Sequence, residues 1–482
     1  MSPVRRTLAL SFAENYTVMF ISFAGSLVLA RILTPTDIGV FSVGAVLVGL
    51  AHIMRDFGVG QYIIQEKELT EDRIRAAMTV TLVLGWSMAA LLAVLSVPAA
   101  IFYAEPGVRN VMLVLAANFM LIPFGTVAMA YMRREMKFGA LYWVRSLGSL
   151  AHTATAIGLA FMGLGYMSLA WSSMVGIAMT VLLTGLLRPA VLPWLPGRRE
   201  LPRVLRFGSF LSGASIVNEM GRGAPDLIIG KLQSMEAVGF FGRANGMVDL
   251  FNRLIGTAIS TVATPYFAAQ NRAGEDLAPI YLRIVHLVSG ISWTFFAFVG
   301  IMAYPLINLL FGSQWNESVP VARILCFWAA LASTFRFSGQ LFIALGEVKI
   351  YAQLQFLTQL LRVAFILASA PFGLEAVAAS IVISSCLGSI LTMRRLRSLA
   401  GIRALDIFKK LLPSGAVALS SSLGPITTVA IFGLESERIW LVLALAGAGA
   451  ALGWLTSIYV LKHGISGEVD LLLARVRGAL KK

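Results

Sequence analysis

Charge is scarce in this chain. Of its 482 residues only 13% are charged, 58% are hydrophobic, and the mean hydropathy is +0.80. A soluble protein of this length needs a charged surface, and too few charges exist to build one, so lipid is the solvent for most of the exterior. Cysteine is nearly absent as well. Cys326 and Cys386 both sit inside apolar runs, which speaks for plain packing rather than a disulfide or a metal ligand. The four histidines form no clustered metal spacing, so no metal is expected. Ten-residue stretches of alternating polarity are missing, which excludes an outer-membrane barrel. Long outward connections are missing too. The turns at Thr34–Asp37, Met162–Gly165, Gln233–Glu236 and Pro371–Phe372 run only a few residues, and the one near Gly312–Glu317 is scarcely longer. A polymerising or ligating membrane enzyme needs an external loop or domain for its acceptor, and this chain has nowhere to put one.

What is present is a series of apolar runs, each near the roughly 20 residues that cross a bilayer. Fourteen are found, at 7–33, 38–64, 76–102, 108–131, 140–161, 166–187, 205–230, 237–265, 279–311, 318–344, 350–370, 373–393, 411–432 and 438–461. The first imitates a signal peptide, but Glu14 and Asn15 interrupt it and it extends to about Leu33, so it reads as an uncleaved span. Basic residues set the orientation. Lys67, Arg73, Arg75, Arg133, Arg134, Lys137, Arg188, Arg198, Arg199, Arg203 and Arg206 fall on one set of connections, as do Arg394, Arg395, Arg397, Arg403, Lys409 and Lys410. The opposite set holds Arg109 and Arg438, with Arg31 and Lys231 at its border. The positive-inside rule then places both termini in the cytoplasm. Most of the +15 net charge is orientation signal, and a nucleic-acid partner is not expected.

Two stretches 200 residues apart are weak copies of each other. Ala30-Arg31-Ile32-Leu33-Thr34-Pro35-Thr36-Asp37-Ile38-Gly39-Val40-Phe41 aligns without a gap on Gly230-Lys231-Leu232-Gln233-Ser234-Met235-Glu236-Ala237-Val238-Gly239-Phe240-Phe241. Arg31 falls on Lys231, Gly39 on Gly239 and Phe41 on Phe241. A duplication of this kind in a membrane chain is the sign of a two-lobed transporter, although a two-domain enzyme could share it, and six spans per copy give both copies the same orientation. The expected architecture is an all-α polytopic membrane protein of about fourteen transmembrane helices. Residues 1–187 form a six-helix lobe, 188–204 a basic cytoplasmic linker and 205–393 a second six-helix lobe in parallel pseudo-two-fold repeat. A basic loop (394–410), two extra helices (411–461) and a basic tail (462–482) follow.

Thirteen charges lie within spans: Glu14, Arg55, Asp56, Arg145, Glu219, Arg222, Asp226, Arg243, Asp249, Arg253, Arg323, Arg336 and Arg362. Each costs about 2.5–3.5 kcal/mol at mid-membrane, so each needs a partner or a wet cavity. Eight arginines against five acids leave a positive surplus that favours an anionic ligand, and the absence of lysine suits bidentate recognition. Ser212, Ser215, Glu219, Arg222 and Asp226 form a stripe at steps of three and four on one helix face, with Pro225 beside Asp226. A second stripe joins Arg243, Gly246, Asp249 and Arg253. Glu219–Arg222–Asp226 and Asp249–Arg253 fit internal ion pairs equally well, but Arg336 and Arg362 have no acid within helical reach on their own spans. The candidate substrate-binding residues are therefore Arg55, Arg222, Arg243, Arg253, Arg336 and Arg362. The coupling-ion or gating candidates are Glu14, Asn15, Asp56, Glu219, Asp226 and Asp249.

The block Leu29 to Phe41, followed by Asp56-Phe57-Gly58-Val59-Gly60-Gln61-Tyr62-Ile63-Ile64-Gln65, resembles the opening of the Wzx-type lipid-linked oligosaccharide flippases. These belong to the multidrug/oligosaccharidyl-lipid/polysaccharide exporter superfamily. Asp226-Leu227-Ile228-Ile229-Gly230 and Leu310-Phe311-Gly312-Ser313-Gln314-Trp315 are similar to its later signatures. The resemblance implies a cationic central cavity and outward movement of an undecaprenyl-diphosphate-linked oligosaccharide across a bacterial inner membrane by alternating access. It implies no cofactor beyond coupling to a proton or sodium gradient, with polysaccharide polymerase and export machinery as further candidate partners. A drug or cation antiporter of the same superfamily prefers an acidic cavity, and a membrane glycosyltransferase or polymerase needs longer outer loops, so both rank behind the flippase.

Overall fold

A computed structural model describes residues 3–480 apart from 57, 191, 194 and 253–255. The side chains of 3–9, 206–218, 257–262, 472–473 and 475–480 also lie outside the description, among them Ser212 and Ser215. Every regular element among the described residues is a helix. They are α1 (Pro3–Ile32), α2 (Pro35–Asp56), α3 (Val59–Gln65), α4 (Glu71–Tyr103), α5 (Pro106–Arg134), α6 (Phe138–Phe161), α7 (Tyr166–Leu186), α8 (Leu201–Leu232), α9 (Met235–Phe251) and α10 (Thr257–Arg272). There follow α11 (Leu277–Ile301), α12 (Ala303–Leu310), α13 (Ser318–Thr334), α14 (Ser338–Ala344), α15 (Val348–Ser369), α16 (Leu374–Ala400), α17 (Ala404–Phe432), α18 (Ile439–Val460) and α19 (Ile465–Leu480).

These helices coincide with the fourteen expected crossings, four of which are built from two consecutive pieces: α2/α3, α9/α10, α11/α12 and α13/α14. Eleven segments are long and apolar enough to cross a membrane on length and composition alone. The other three crossings, α6, α8 and α9/α10, are those whose apolar stretches are diluted by charged and hydroxyl residues. The chain is a multi-pass membrane protein.

Two compact units divide the chain, Met1–Gly239 and Phe240–Lys482. In the first, α4 packs on α5, α5 on α7, α7 on α6 and α6 on α1, while α8 lies against α2 and α4. In the second, α11 packs on α13, α13 on α16 and α16 on α15, with α17 and α18 paired beside α11. The run α4–α5–α7–α6 of the first unit recurs as α11–α13–α16–α15 in the second. Each unit also has a dense apolar cluster. In the first it gathers Tyr62, Ile63, Ile74, Met132 and Leu141 with Leu192 and Val204; in the second, Phe267, Tyr281, Phe337, Phe342, Leu396 and Ile407.

Within the first unit, the repeated turn shows why its residues recur. The Thr34 hydroxyl accepts from Asp37 N–H at 3.1 Å and the Asp37 carboxylate accepts from Thr34 N–H at 3.1 Å, a reciprocal cap on the start of α2. The Ser234 hydroxyl caps α9 by accepting from Ala237 N–H at 3.0 Å, a one-sided version without the acid. Asp37 accepts a further bond, from Tyr166 N–H at 3.0 Å, which ties the start of α7 to that of α2. The two glycines of the repeat then meet the opposite copy. A Cβ on Gly39 would lie 1.7 Å from the Met235 carbonyl oxygen, and one on Gly239 would lie 2.1 Å from the Pro35 carbonyl oxygen. Only glycine allows the first turns of α2 and α9 to touch backbone to backbone.

Glu66, just past the end of α3, accepts from Arg203 Nε and Nη2 at 3.2 Å each and from Arg73 at 3.5 Å, so it joins α8 to α4. Burial alone pushes this carboxyl up, but Arg203, the Tyr62 hydroxyl and Arg73 together outweigh it and hold the group below its ordinary value.

Two predictions follow from this packing. Gly39→Ala or Gly239→Ala must part the crossing turns and should cost about 1–3 kcal/mol. Thermal unfolding of the detergent-solubilised protein should show a lower Tm for each. Gly242→Ala, whose Cβ meets nothing, should leave the Tm in place. The Glu66 carboxylate is favoured in the folded state, so its stabilisation is present above the ordinary carboxylate pKa of about 4.3 and fades as pH falls below it. Glu66→Gln should therefore lower the Tm at pH 7 and converge on the parent at acid pH; a deficit independent of pH would contradict this.

Candidate functional site

The charges within spans separate into paired and gathered sets. Glu14 is only 7% exposed, and its carboxylate meets Arg145 Nη1 at 3.1 Å, joining α1 to α6. Its neighbour Asn15 is exposed. Arg55 is buried and bonded to the exposed Asp56 beside it. Glu219 and Arg222 pair at 3.6 Å along α8, and Glu219 also faces Gly49 of α2. Asp226 is half-buried on the same helix, which runs on through Pro225 to Leu232. Pairing of this kind removes most of the cost of a charge in hydrocarbon without creating a ligand site.

Arg243 uses a different device. Its guanidinium carbon lies 5.0 Å from the Phe311 ring centre and 4.8 Å from that of Trp315, which is fully buried. This is cation–π stabilisation, strongest where the partners are desolvated. Asp249 is half-buried and accepts from the Asn245 amide at 3.4 Å. Arg253 lies outside the described residues, so its pairing with Asp249 stays a sequence expectation.

Arg336 and Arg362 come together. Both line one polar cavity of about 300 Å³ in the second unit, walled by the α13/α14 junction, α15 and α16. Arg336 sits in the short break between α13 and α14, and its guanidinium donates to the Asn252 amide oxygen, within electrostatic reach of Asp249. Arg362 lies over the Trp328 ring, 5.5 Å from its centre, and the Trp328 indole N–H donates to Ser385 Oγ at 2.6 Å. Among the described residues, no aspartate or glutamate lines this cavity.

The rest of its wall went unnoticed in the sequence. Tyr351, Gln355, Thr358 and Arg362 recur along α15 at steps of four, three and four, so they share one face. On α16, Ser385, Ser389 and Thr392 form the facing row. Gly339 makes room for the Tyr351 ring: a Cβ there would lie 2.5 Å from it. The signal was available as a helical period, but these residues are neutral, and a search for charge passes over them.

The chain belongs to the polysaccharide biosynthesis protein family, whose sequence profile matches residues 28–320, more than half of the chain. It is 25% identical over 328 residues to the lipopolysaccharide biosynthesis protein WzxC of Escherichia coli K12, covering 67% of this chain and 66% of that one. It is 24% identical over 329 residues to the succinoglycan biosynthesis transport protein ExoT of Rhizobium meliloti, covering 67% and 65%. The chain thus spans slightly under two thirds of the length of either relative. The fold is that of the lipid II flippase MurJ in its inward closed conformation, with a TM-score of 0.76 at 10% identity over 94% of this chain and 98% of that one.

If the cavity is wet and the stacked arginine is not, single cysteines will report it. In a background lacking Cys326 and Cys386, cysteine at Gln355 or Ser389 should react several-fold faster with a water-soluble thiol reagent than cysteine at Arg243. Equal protection at all three positions would contradict an open polar cavity.

Proposed function

We propose that this chain is a flippase that carries a lipid-linked oligosaccharide from the cytoplasmic to the outer leaflet by alternating access, for the synthesis of a surface polysaccharide. The observation that carries this reading is the Arg336–Arg362 cavity, with no acid among its described lining residues, in a membrane protein of the polysaccharide biosynthesis family. A sugar cannot cross hydrocarbon unaided, because each hydroxyl stripped of water costs several kcal/mol. Exchange of that water for glutamine, serine and threonine side chains removes the barrier while the lipid tail stays in the bilayer. The fold agrees with transport: one neighbour of known structure is described as a lipid II flippase, and one relative as a transport protein. The carrier lipid is undecaprenyl diphosphate, both termini face the cytoplasm of a bacterial inner membrane, and polysaccharide polymerase and export machinery act next. Coupling to a proton or sodium gradient falls to Glu14 and Glu219, carboxylates within spans that are each at least partly buried and paired with an arginine. A cation antiporter would line its cavity with acids, and none stands among the described lining residues of this one.

Arg336→Ala combined with Arg362→Ala should abolish export of the surface polysaccharide in cells lacking the native gene, with the protein still present in the membrane at its usual level. Lysine at both positions should restore export only in part, because lysine keeps the charge and loses the planar fork. Normal export by the double alanine variant at normal protein level would remove the cavity from the transport path.

A further inference from the structure

We propose that the second unit holds a site for one anionic membrane phospholipid, with an acyl chain in the groove enclosed by α11, α13 and α17 and the phosphate on Arg323 at its end. The site shares no lining residue with the Arg336–Arg362 cavity and does not depend on the flippase reading.

Arg323 is a charge within a span, and among the described residues it makes no hydrogen bond and no ion pair. It is exposed on α13, five residues past the helix start at Ser318 and so about 7.5 Å into the crossing. A charge at that depth needs a compensating group, and a long side chain there reaches the lipid phosphates at the bilayer surface. The surface beneath Arg323 says what else the ligand carries. α13 and α17 both pack on α11 and leave a groove of about 590 Å³ between them. Cys326, Phe327, Ala330 and Leu331 follow Arg323 on one face of α13, at steps of three, one, three and one. The wall on α11 repeats those steps, in Trp293, Phe296, Ala297, Gly300 and Ile301, and so extends about 12 Å along that helix. The Trp293 indole N–H donates to the Ala330 carbonyl at 2.8 Å, and a Cβ on Gly300 would lie 3.6 Å from that of Cys326. The two helices are therefore antiparallel, with Arg323 at the Gly300–Ile301 end and Trp293 at the other. Gly415 and Ala418 of α17 keep the third wall low. A chain laid along this hollow regains the dispersion contacts that an empty groove forfeits. Arg323 is the one charged side chain among the described lining residues, which suits the single negative charge of a phosphodiester. The ammonium of a zwitterionic lipid would bring a second positive charge to Arg323, whereas a glycerol headgroup would not.

The test uses the purified full-length protein, delipidated in detergent and titrated with lipid, and reads the bound lipid by native mass spectrometry. Dioleoyl phosphatidylglycerol and dioleoyl phosphatidylcholine have the same chains and differ in net charge. The parent protein should bind phosphatidylglycerol about ten-fold more tightly than phosphatidylcholine, the scale of one charged hydrogen bond. Arg323→Gln should erase that preference, whereas Arg438→Gln, at the cap of α18, should keep it. Ala297→Phe, which fills the groove, should lose the tightly bound lipid of either kind. Equal binding of the two lipids by the parent protein, or binding of neither, would overturn the proposal, and neither result needs a variant to fold. A preference that survives Arg323→Gln would overturn it as well. Undecaprenyl phosphate is the third probe: its displacing phosphatidylglycerol at equal concentration would assign the groove to a polyprenyl chain and overturn the phospholipid assignment, and phosphatidylglycerol should instead stay bound.

Discussion

The cost of charge in hydrocarbon governs this structure. A chain that must cross the bilayer many times can carry a buried arginine or carboxylate only if something else in the protein compensates it. Glu14–Arg145, Arg55–Asp56 and Glu219–Arg222 do so as pairs, and Arg243 does so by stacking on Phe311 and Trp315. Arg336 and Arg362 are treated differently. They line one cavity whose other described wall residues are neutral.

Rigid packing keeps those few polar groups in register. Small residues let the backbones approach, most sharply where Gly39 and Gly239 each touch the carbonyl of the other copy's first turn. In lipid, association of this sort depends on close packing, because the tails are as apolar as the side chains and give no hydrophobic drive. The cavity is placed by the same means, with Gly339 yielding space to Tyr351 and Gly388 to Thr358.

The crossings were legible because span length and hydropathy are one-dimensional properties. The Glu219–Arg222 pair was legible too, since three residues along a helix is a contact. Glu14–Arg145 was not, because its partners lie on helices far apart in the chain and nothing in either stretch says that α1 packs on α6. The cavity was half legible. Arg336 and Arg362 stood out because no acid was near them in sequence, but Gln355, Gln359, Ser385 and Ser389 carry no charge, and their role exists only once α15 faces α16.

Transport itself is the central claim, and it can be isolated from the rest of polysaccharide synthesis. Liposomes containing only this protein, with a fluorescent lipid-linked oligosaccharide in both leaflets, separate movement from polymerisation and export. A membrane-impermeant reductant quenches the label in the outer leaflet alone. With the protein present, quenching should proceed past half of the signal as label from the inner leaflet reaches the surface, and should stop at half in protein-free liposomes. Quenching that stops at half with correctly inserted, folded protein would contradict the account.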